Sequence, residues 1–558
     1  MNRHVQRSAP AEPGADPRPA PAASAGGGGT PESAEAAGSA EGARPAESAG
    51  AGRKGRVTRR TLLKAGLIGV PSALAAGAGW AGWQWASADI DTAGKVAFTD
   101  RLHVPPLARS VRGPDGRRVF DLRAMPGRRR LRPGRPTATW GLNGPMLGPT
   151  LRAARGETVQ INVRNDLPET TTIHWHGMHL PARMDGGPHQ PIAPGATWSP
   201  HWTIDQPAAT LWYHPHPHGR TARHVYRGLA GMFILDDPEA REAGLPSRYG
   251  VDDIPLIVQD VLLDEANRLV ERRGPMNGVG VLGDRVLVNG VLHPYHEVTT
   301  ERVRLRLLNG SGARTYRFGF TDGRSFAVVG SDGGLLPAPY ETDRIQLSPG
   351  ERAEIVVTFR PGQRAVLRSY PPDLGVDVWN ARFSGGDDTL DIMEFRPAAR
   401  LEPVPAPPAR LAAAPALASP SAPVTRTFEL AGFSINGRRM DMNRIDFGVV
   451  RNTTEVWEIV TIDNKPHNFH VHDVQFQVLS IDGAPPPPQL RGWKDTVYVP
   501  NQKPVRIALR FGEHTDPRTP YMFHCHLLYH EDQGLMGQFV VTEPGQAPQA
   551  PPSGHHHH

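Results

Sequence analysis

Short runs in which apolar and polar residues alternate recur along the chain from about residue 97. Examples are "ETVQINVRNDL", "RVRLRLLNG" and "TEVWEIVTIDN", and such runs are separated by Gly, Pro, Asn and Asp. Because successive side chains of a strand point to opposite faces, this alternation predicts half-buried strands. Short strands at this spacing are typical of β-sandwiches and barrels. The pattern therefore predicts an all-β fold.

The strand pattern and its motifs recur three times. "LWYHPHPHG" followed by "GLAGMFIL" (211–235) parallels "YMFHCHLLYHEDQGLMGQFVV" (521–541), and "VRNDLPETTTIHWHG" parallels "TIDNKPHNFHVH". A third copy, "VNGVLHPYHEVTTERVRLRLLNGSGARTYRFGF", keeps the strands without the paired histidines. Repeats of this kind predict three related β domains, with metal-ligand chemistry in the first and third.

The two ends of the chain do not follow the strand pattern. Residues 1–50 contain hardly any large apolar side chain and are predicted to be disordered. "TRRTLLK", with Arg59 and Arg60, precedes a weakly apolar run and resembles a twin-arginine export signal; cleavage after Ala88 and retention as a membrane anchor both stay open. The predicted segments are a tail plus signal (1–88), domain 1 (89–240), domain 2 (241–400), a Pro/Ala-rich linker (401–424), domain 3 (425–546), and a tail with a histidine tag (547–558).

Charge and cysteine content narrow the function classes. The net charge of +6 comes from 62 Lys and Arg against 56 Asp and Glu, scattered along 558 residues rather than striped with aromatics. This distribution indicates a solvated surface and argues against nucleic-acid binding. A single cysteine, Cys525, excludes an intrachain disulfide and any four-cysteine metal site.

Four His-x-His pairs stand out as candidate metal ligands. Residues i and i+2 of a strand face the same side, so each pair would aim two imidazoles at one point. A single pair is more often a polar surface feature, but four pairs in repeat-related domains indicate a metal cluster. Imidazoles without matching carboxylates favour copper over calcium, magnesium or a lone zinc. The pairs are His174 and His176, His214 and His216, His470 and His472, and His524 and His526.

Cys525 stands between the last two of these histidines, His524 and His526. Its thiolate faces the opposite side and could join His467 and His530 in a Cys-His-His site, the arrangement of blue-copper electron-transfer centres. The cysteine would then connect two metal centres, one residue or roughly 3.3 Å of strand away on each side. The alternative is a free cysteine that serves as a small buried hydrophobe.

The motifs "HWHG", "HPH", "HNFHVH" and "HCHLLYH" resemble those of the three-domain multicopper oxidases, over nearly all of residues 97–545. "MDGGPHQPIAPG" and "DQPAATLWYHPHPHG" are most similar to the bacterial cuprous-oxidase and bilirubin-oxidase branch of these laccase-like enzymes. The resemblance implies three cupredoxin-like Greek-key β-sandwich or barrel domains and four copper ions per chain. It also implies a type 1 copper on His467, Cys525 and His530, a type 2 copper on His174 and His470, and a type 3 pair on His176, His214, His216, His472, His524 and His526.

The same resemblance implies the reaction: one-electron oxidation of a donor, coupled to four-electron reduction of dioxygen to water. Asp185 and Glu531 match acidic residues that deliver protons, although an Asp before Gly-Gly often only caps a turn. Asp463 and Lys465 are expected at the donor-binding edge of the type 1 site. Leu535 stands where relatives place an axial methionine and is predicted to be a non-ligand neighbour, with Met536 turned to the opposite face.

The methionine content near the type 1 site and the complete ligand set decide between the possible donors and functions. The region 370–425 contains one methionine, Met393, so the thioethers that would bind cuprous ion are missing and small phenols or aromatic amines are favoured. Cuprous or other metal-ion oxidation in copper tolerance is the alternative. Non-enzymatic exported proteins of this fold and two-domain nitrite reductases are remoter, because all eleven ligand positions are filled in one chain. A copper-sequestering protein is also remoter, because it would not need the cysteine connection to a dioxygen-reducing cluster. We expect a monomer, exported by the twin-arginine translocase to the periplasm, cell envelope or medium.

Overall fold

Strands in three successive groups make up most of the architecture of residues 79–551, the part of the chain that the computed structural model describes. The first group is β1 (Ser110–Arg112), β2 (Arg118–Arg129), β3 (Thr137–Leu142), β4 (Leu151–Ala154), β5 (Thr158–Asn165), β6 (His174–His176), β7 (Thr197–Trp198), β8 (His201–Thr203), β9 (Thr210–His214) and β10 (Gly231–Asp236).

The second group is β11 (Asp253–Val261), β12 (Arg285–Val288), β13 (Val291–Leu292), β14 (Tyr295–Thr300), β15 (Arg302–Asn309), β16 (Tyr316–Phe320), β17 (Phe326–Ser331), β18 (Gly334–Thr342), β19 (Ile345–Leu347), β20 (Arg352–Thr358), β21 (Ala365–Tyr370) and β22 (Leu390–Glu402). The third is β23 (Arg426–Ala431), β24 (Ser434–Ile435), β25 (Phe447–Val450), β26 (Thr454–Thr461), β27 (His467–Val471), β28 (Phe476–Ile481), β29 (Thr496–Val499), β30 (Val505–Arg510), β31 (Tyr521–His524) and β32 (Met536–Thr542).

Each group forms two sheets with an apolar core. The first group pairs the sheet β1-β2-β5-β7, extended by β3 and β8, with the sheet β4-β10-β9-β6. The second pairs β13-β12-β11-β15-β20-β17-β18 with β14-β22-β21-β16-β19. The third pairs β24-β23-β26-β30-β28 with β25-β32-β31-β27-β29. Every sandwich has two parallel pairs among antiparallel ones: β2/β5 and β4/β10, β11/β15 and β14/β22, β23/β26 and β25/β32. This shared topology confirms the predicted all-β fold of three Greek-key sandwiches.

The structure corrects two predicted boundaries. Domain 1 was expected to begin at residue 89, but Asp91 and Arg101 form β-bridges with Thr389 and Tyr295 of the middle sandwich. The apolar side chains of this segment, Leu102 among them, pack into the middle core, which is why it does not join the first sandwich. The expected linker at 401–424 also begins late, because β22 runs through Glu402; residues 403–425 contain neither helix nor strand.

Helices are short and few in the described part of the chain. They are α1 (Thr221–Tyr226), α2 (Pro238–Glu242), α3 (Val378–Phe383) and α4 (Leu528–Asp532), with helical residues also at 79–86 and single 3₁₀ turns at Ala182–Met184 and Pro488–Leu490. Among the described residues no helix is long and apolar enough to cross a bilayer. The predicted tail, the arginine pair and most of the apolar run of the export signal, together with the histidine tag, fall outside the described residues.

Candidate metal centres

The eight paired histidines meet where the first sandwich contacts the third. In the first sandwich β6 and β9 pair with His174 opposite His214, and in the third β27 and β31 pair with His470 opposite His524. All eight side chains are buried. The equivalent registers give each sandwich one half of a common cluster, as the repeat predicted.

The strand argument for the pairs holds for "HWH" alone. His174 and His176 both lie within β6, whereas His214 and His524 are the last residues of their strands and His472 follows the end of β27. Pro215 lacks the N–H that would continue the ladder after His214. Expecting every pair to sit on a strand was therefore wrong for three of the four, which lie where the chain leaves the sheet.

In three of the eight rings, hydrogen bonds identify which nitrogen is available to bind a metal. The Nδ1 atoms of His174, His214 and His470 lie 3.0, 2.8 and 2.8 Å from the backbone oxygens of Asp185, Pro215 and Asp495. A carbonyl only accepts, so each Nδ1 carries the hydrogen and each Nε2 keeps its lone pair. These three Nε2 atoms are buried without any hydrogen-bond partner. Buried unpartnered nitrogens that converge are the donor set a metal requires.

Several overlapping histidine groups bring their nitrogens within 4.8 Å of one another: His174, His470 and His472; His174, His176 and His214; and His216, His472 and His524. Burial, with the neighbouring imidazoles, holds the pKa of His470 well below its usual value, and burial lowers that of His524 to about 3. These rings are neutral at pH 7, which is the form that binds a metal. Two of these three groups combine residues of the first and third sandwiches, so the complete cluster requires their interface.

A second centre combines Cys525 with His467 and His530, again within 4.8 Å. The Cys525 Sγ lies 3.6 Å from His530 Nδ1, which lies 3.2 Å from His467 Nδ1. The outer nitrogens are occupied: His467 Nε2 lies 3.0 Å from Asp463 Oδ1, and His530 Nε2 lies 3.0 Å from the Gly278 oxygen. Both acceptors hold the hydrogen on Nε2, so both Nδ1 lone pairs face the sulfur.

The five-residue spacing from Cys525 to His530 has a local cause. β31 ends at His524, and after three residues without regular structure α4 begins at Leu528 and turns His530 back toward the sulfur. Burial raises the pKa of the Cys525 thiol to about 12, so without a metal it is protonated. A cation bound there must displace that proton.

Leu535 lies beside this centre. Its oxygen accepts the Cys525 N–H at 3.2 Å, and its side chain belongs to the same buried cluster as Cys525. Met536 opens β32, pairs with His524, and lines a separate cavity of about 290 Å³ with Phe428 and Phe523. The side chains of Leu535 and Met536 therefore pack in different surroundings.

The two predicted acids both contact cluster histidines. Asp185 is buried and its Oδ2 accepts the His472 Nδ1–H at 2.7 Å, while its Oδ1 has no hydrogen-bond partner. Glu531 is also buried, with its carboxyl oxygens 3.4 Å from His216 Nδ1 and 3.3 Å from His524 Nδ1, outside hydrogen-bond geometry. Burial, and then Asp532, raise the pKa of Glu531 well above its usual value, so it holds a proton.

At the outer side of the cysteine centre, Lys465 Nζ lies 3.9 Å from Asp463 Oδ2. His218 is exposed, and His179 lies away from the cluster, with its Nδ1 2.8 Å from Asp473 Oδ1.

Sequence reasoning missed three buried residues. Asn468 accepts the His526 N–H at 2.6 Å and lies 3.6 Å from Cys525 Sγ, so it braces the loop that joins the two centres. Its place inside "HNFHVH" was a usable signal. Asp495 lies 3.0 Å from His176 Nε2, and Arg352 forms an ion pair with Asp495. "WKDTV" and "SPGER" contain no ligand-type histidine, and nothing local in them marks this contact.

Known protein families match most of the described chain. Three multicopper oxidase domain models match residues 126–240, 252–369 and 412–545. Multicopper oxidase mco of Staphylococcus haemolyticus (strain JCSC1435) is 35% identical over 448 residues, or 78% of this chain and 92% of that protein. Cell division protein FtsP of Escherichia coli (strain K12) is 37% identical over 446 residues, or 79% and 92%.

Solved structures agree with the sequence relatives. The laccase of Pediococcus acidilactici Pa5930 has a TM-score of 0.72 at 35% identity, covering 80% of this chain and 95% of that one. McoA multicopper oxidase of Aquifex aeolicus has a TM-score of 0.71 at 32% identity, covering 80% and 100%. The chain therefore belongs to the multicopper oxidase family and is a copper-dependent oxidoreductase with dioxygen as its acceptor.

Proposed function

We propose that this chain oxidises small phenolic or aromatic-amine donors at the Cys525 centre. The observation that carries this choice is the apolar surface beside Asp463: Val378, Trp379 and Ile462 are 72%, 45% and 46% exposed. Asn464 Oδ1 accepts the Asp377 N–H at 3.0 Å, which ties the start of α3 to the segment that carries Asp463. Met393 is buried in the middle core and offers no thioether to a surface cation. Flat apolar donors suit such an edge better than a soft metal ion.

The copper ligands in this proposal are the eleven residues named from the resemblance. His467, Cys525 and His530 would hold type 1 copper, and His174 and His470 type 2. The type 3 pair would be held by His176, His214, His216, His472, His524 and His526. Copper would supply one-electron acceptance at the Cys525 centre and dioxygen reduction at the histidine cluster. The free nitrogens and the neutral rings support the assignment, which makes four coppers per chain.

The chain's own residues would supply connection and protons. Cys525 is directly bonded in sequence to His524 and His526, so the peptide joins the two centres without a gap. Asp185 touches His472 and keeps one carboxylate oxygen unpaired, which suits a group that passes protons to the cluster. Glu531 is buried, carries a proton and lies beside His216 and His524 on the other side. Both acids are proposed as proton donors for dioxygen reduction.

Two other roles, metal-ion oxidation and a non-enzymatic part in cell division, are suggested by relatives. A structural neighbour from Campylobacter jejuni, 26% identical to this chain, is described as a metallo-oxidase. FtsP is named for cell division and is about as similar as mco, so identity alone does not separate an enzyme from a cell-division factor. The complete set of convergent donors in this chain favours the oxidase.

Copper-loaded protein reduced anaerobically with a phenol and then exposed to air provides the test. We expect the blue thiolate absorption to bleach and recover while dioxygen is consumed. Initial rates with phenols, aromatic amines and cuprous ion are then compared under the same conditions. Turnover of cuprous ion with inert phenols would replace the donor class, and bleaching by no donor would favour a non-enzymatic role.

Export by the twin-arginine route and action outside the cytoplasm as a monomer belong to the same proposal. "TRRTLLK" supports the route, and all eleven donors in one chain support the monomer. We retain the segment plan of the sequence, with 89–104 reassigned to the middle sandwich and the linker starting at 403. Replacement of Arg59 and Arg60 by Lys should leave the protein in the cytoplasm, and fractionation would measure this.

A further inference from the structure

Two aspartates hold the histidine cluster in the same way from opposite sides. Asp185 accepts the Nδ1–H of His174, from its own sandwich, on its backbone oxygen at 3.0 Å, and that of His472, from the other, on its carboxylate at 2.7 Å. Asp495 accepts the Nδ1–H of His470, from its own sandwich, on its backbone oxygen at 2.8 Å.

The carboxylate of Asp495 completes the parallel, because its Oδ1 lies 3.0 Å from Nε2 of His176 in the first sandwich. Since the carboxylate accepts, His176 carries its hydrogen on Nε2, and its Nδ1 is the buried atom without a partner. His176 is thus the opposite tautomer of His174. Asp495 holds it there, together with the Thr496 hydroxyl oxygen, which lies 3.1 Å from the same nitrogen and donates its own hydrogen to Asp495.

The two aspartates differ in their charge partner. Arg352, from the middle sandwich, donates from Nη1 to Asp495 Oδ1 at 2.7 Å and from Nη2 to Oδ2 at 2.6 Å. Within residues 79–551 no arginine or lysine pairs with Asp185, and its Oδ1 lacks a hydrogen-bond partner. A two-pronged guanidinium fixes both the position and the plane of a carboxylate.

Arg352 is itself held by all three sandwiches. Its Nε donates to the Thr210 oxygen at 2.8 Å in the first, and its Nη2 to the Asp332 oxygen at 2.9 Å in the second, besides the pair with Asp495 in the third. The side chain is completely buried. The middle sandwich contributes no histidine to the cluster, but it places a charged side chain beside it: Arg352 contacts the carboxylate that faces His176.

Gly177 makes room for the ion pair directly after His176. A Cβ at this position would lie 2.4 Å from Asp495 Oδ2 and 2.9 Å from Arg352 Nη2, and its φ is +83°. Any other residue would be strained and would displace the pair. The glycine of "HWHG" therefore has a physical reason that the sequence alone did not supply.

We propose that Arg352 is a positioning residue for the copper cluster, acting through Asp495 to present His176 Nδ1 to the metal. The inference rests on the proposed role of His176 as a type 3 ligand. The middle sandwich, which contributes no histidine to the cluster, would then help to build the copper site through Arg352. Loss of an outer hydrogen-bond partner typically weakens metal binding by about 10- to 100-fold.

Copper competition with a chelator of known affinity, copper counted per chain, and the near-ultraviolet and blue absorptions would test this. Arg352→Gln should lose copper from the cluster at about 10- to 100-fold lower chelator concentration, with the blue centre unchanged. Arg352→Lys keeps the positive charge but cannot donate two parallel hydrogen bonds, so its copper affinity should lie between those of the wild type and Arg352→Gln. Asp495→Ala should match Arg352→Gln, and the double variant should lose no more than the worse single one.

Arg314→Gln is the matched control, because Arg314 is a buried middle-sandwich arginine that pairs with Asp260 at 2.9 Å and contacts no cluster histidine. It should lower the unfolding temperature and leave cluster copper at the wild-type level. If Arg352→Gln behaves like this control, Arg352 only supports the fold and the proposal is overturned. His176→Asn separates the two assumptions: if it retains full cluster copper, the ligand assignment fails; if it alone loses copper, the positioning role fails.

Discussion

The imidazole rings of His176 and His470 lie stacked at 3.8 Å with an angle of 11° between their planes, although they belong to different sandwiches. His174 and His472 form the reciprocal stack, also at 3.8 Å. The two halves of the cluster thus interlock rather than face each other across a gap. Copper binding and docking of the first sandwich on the third are expected to support one another, because each needs the other's geometry.

Cys525→Ser should separate the two centres. The hydroxyl cannot replace the thiolate at the outer centre, so the blue absorption and donor oxidation should be lost to background. The eight cluster histidines keep their contacts, so about three of four coppers should remain by metal analysis. Loss of all four coppers would mean that the cluster depends on the cysteine, and continued oxidation of phenols would refute the outer-centre assignment.

Asp185→Asn should slow dioxygen reduction while type 1 reduction by the donor stays near the wild-type rate. Asparagine keeps an oxygen that accepts the His472 Nδ1–H, so copper should stay bound, but it cannot deliver a proton. General acids contribute about 10²- to 10⁴-fold, and we expect a loss toward the lower end because Glu531 remains. Stopped-flow measurement of each half-reaction checks this. Equal slowing of both halves would indicate a structural role.

How far the sequence could predict this site depends on how local each signal is. The four histidine pairs and Cys525 are each contained in a few residues, so their convergence followed from the repeat. Asp495 contacts Arg352 143 residues earlier and His176 319 residues earlier, and no short motif encodes such a contact.

The segment 89–104 was misplaced for a related reason. Its apolar residues predict burial, but alternation does not say which of three similar cores receives them. Ile90 and Leu102 pack with the middle core instead of the nearer strands in sequence. The fold class, by contrast, depends on a pattern repeated in every strand, and it was confirmed.

The copper-free protein should become less stable as the pH falls below about 6.5. Burial lowers the pKa of His472 and of other cluster histidines well below 6.5, so in acid the unfolded chain binds protons that the folded chain refuses. Each such group therefore contributes stability above pH 6.5 that is lost on acidification, by about 1.4 kcal/mol per pH unit.

His472→Asn tests this sign and size, because it removes one such group. Denaturant unfolding of the copper-free proteins between about pH 6 and 5 should give the variant a shallower slope by about 1.4 kcal/mol per pH unit, whatever its absolute stability. Parallel slopes would show that His472 takes up a proton in the folded state.

The last prediction concerns the axial side of the cysteine centre, where Leu535 packs with Cys525 and Met536 faces another cavity. Leu535→Met would bring a thioether to the type 1 copper. A sulfur donor at this position would favour cupric ion. The free energy released on reducing the copper should therefore fall by about 1 to 2 kcal/mol, which for one electron is a drop in potential of roughly 40 to 90 mV. Oxidation of poorly reducing phenols should slow more than that of easy donors. Redox titration beside Met536→Leu is the check: if the Met536 variant raises the potential and the Leu535 variant leaves it unchanged, Met536 is the axial ligand.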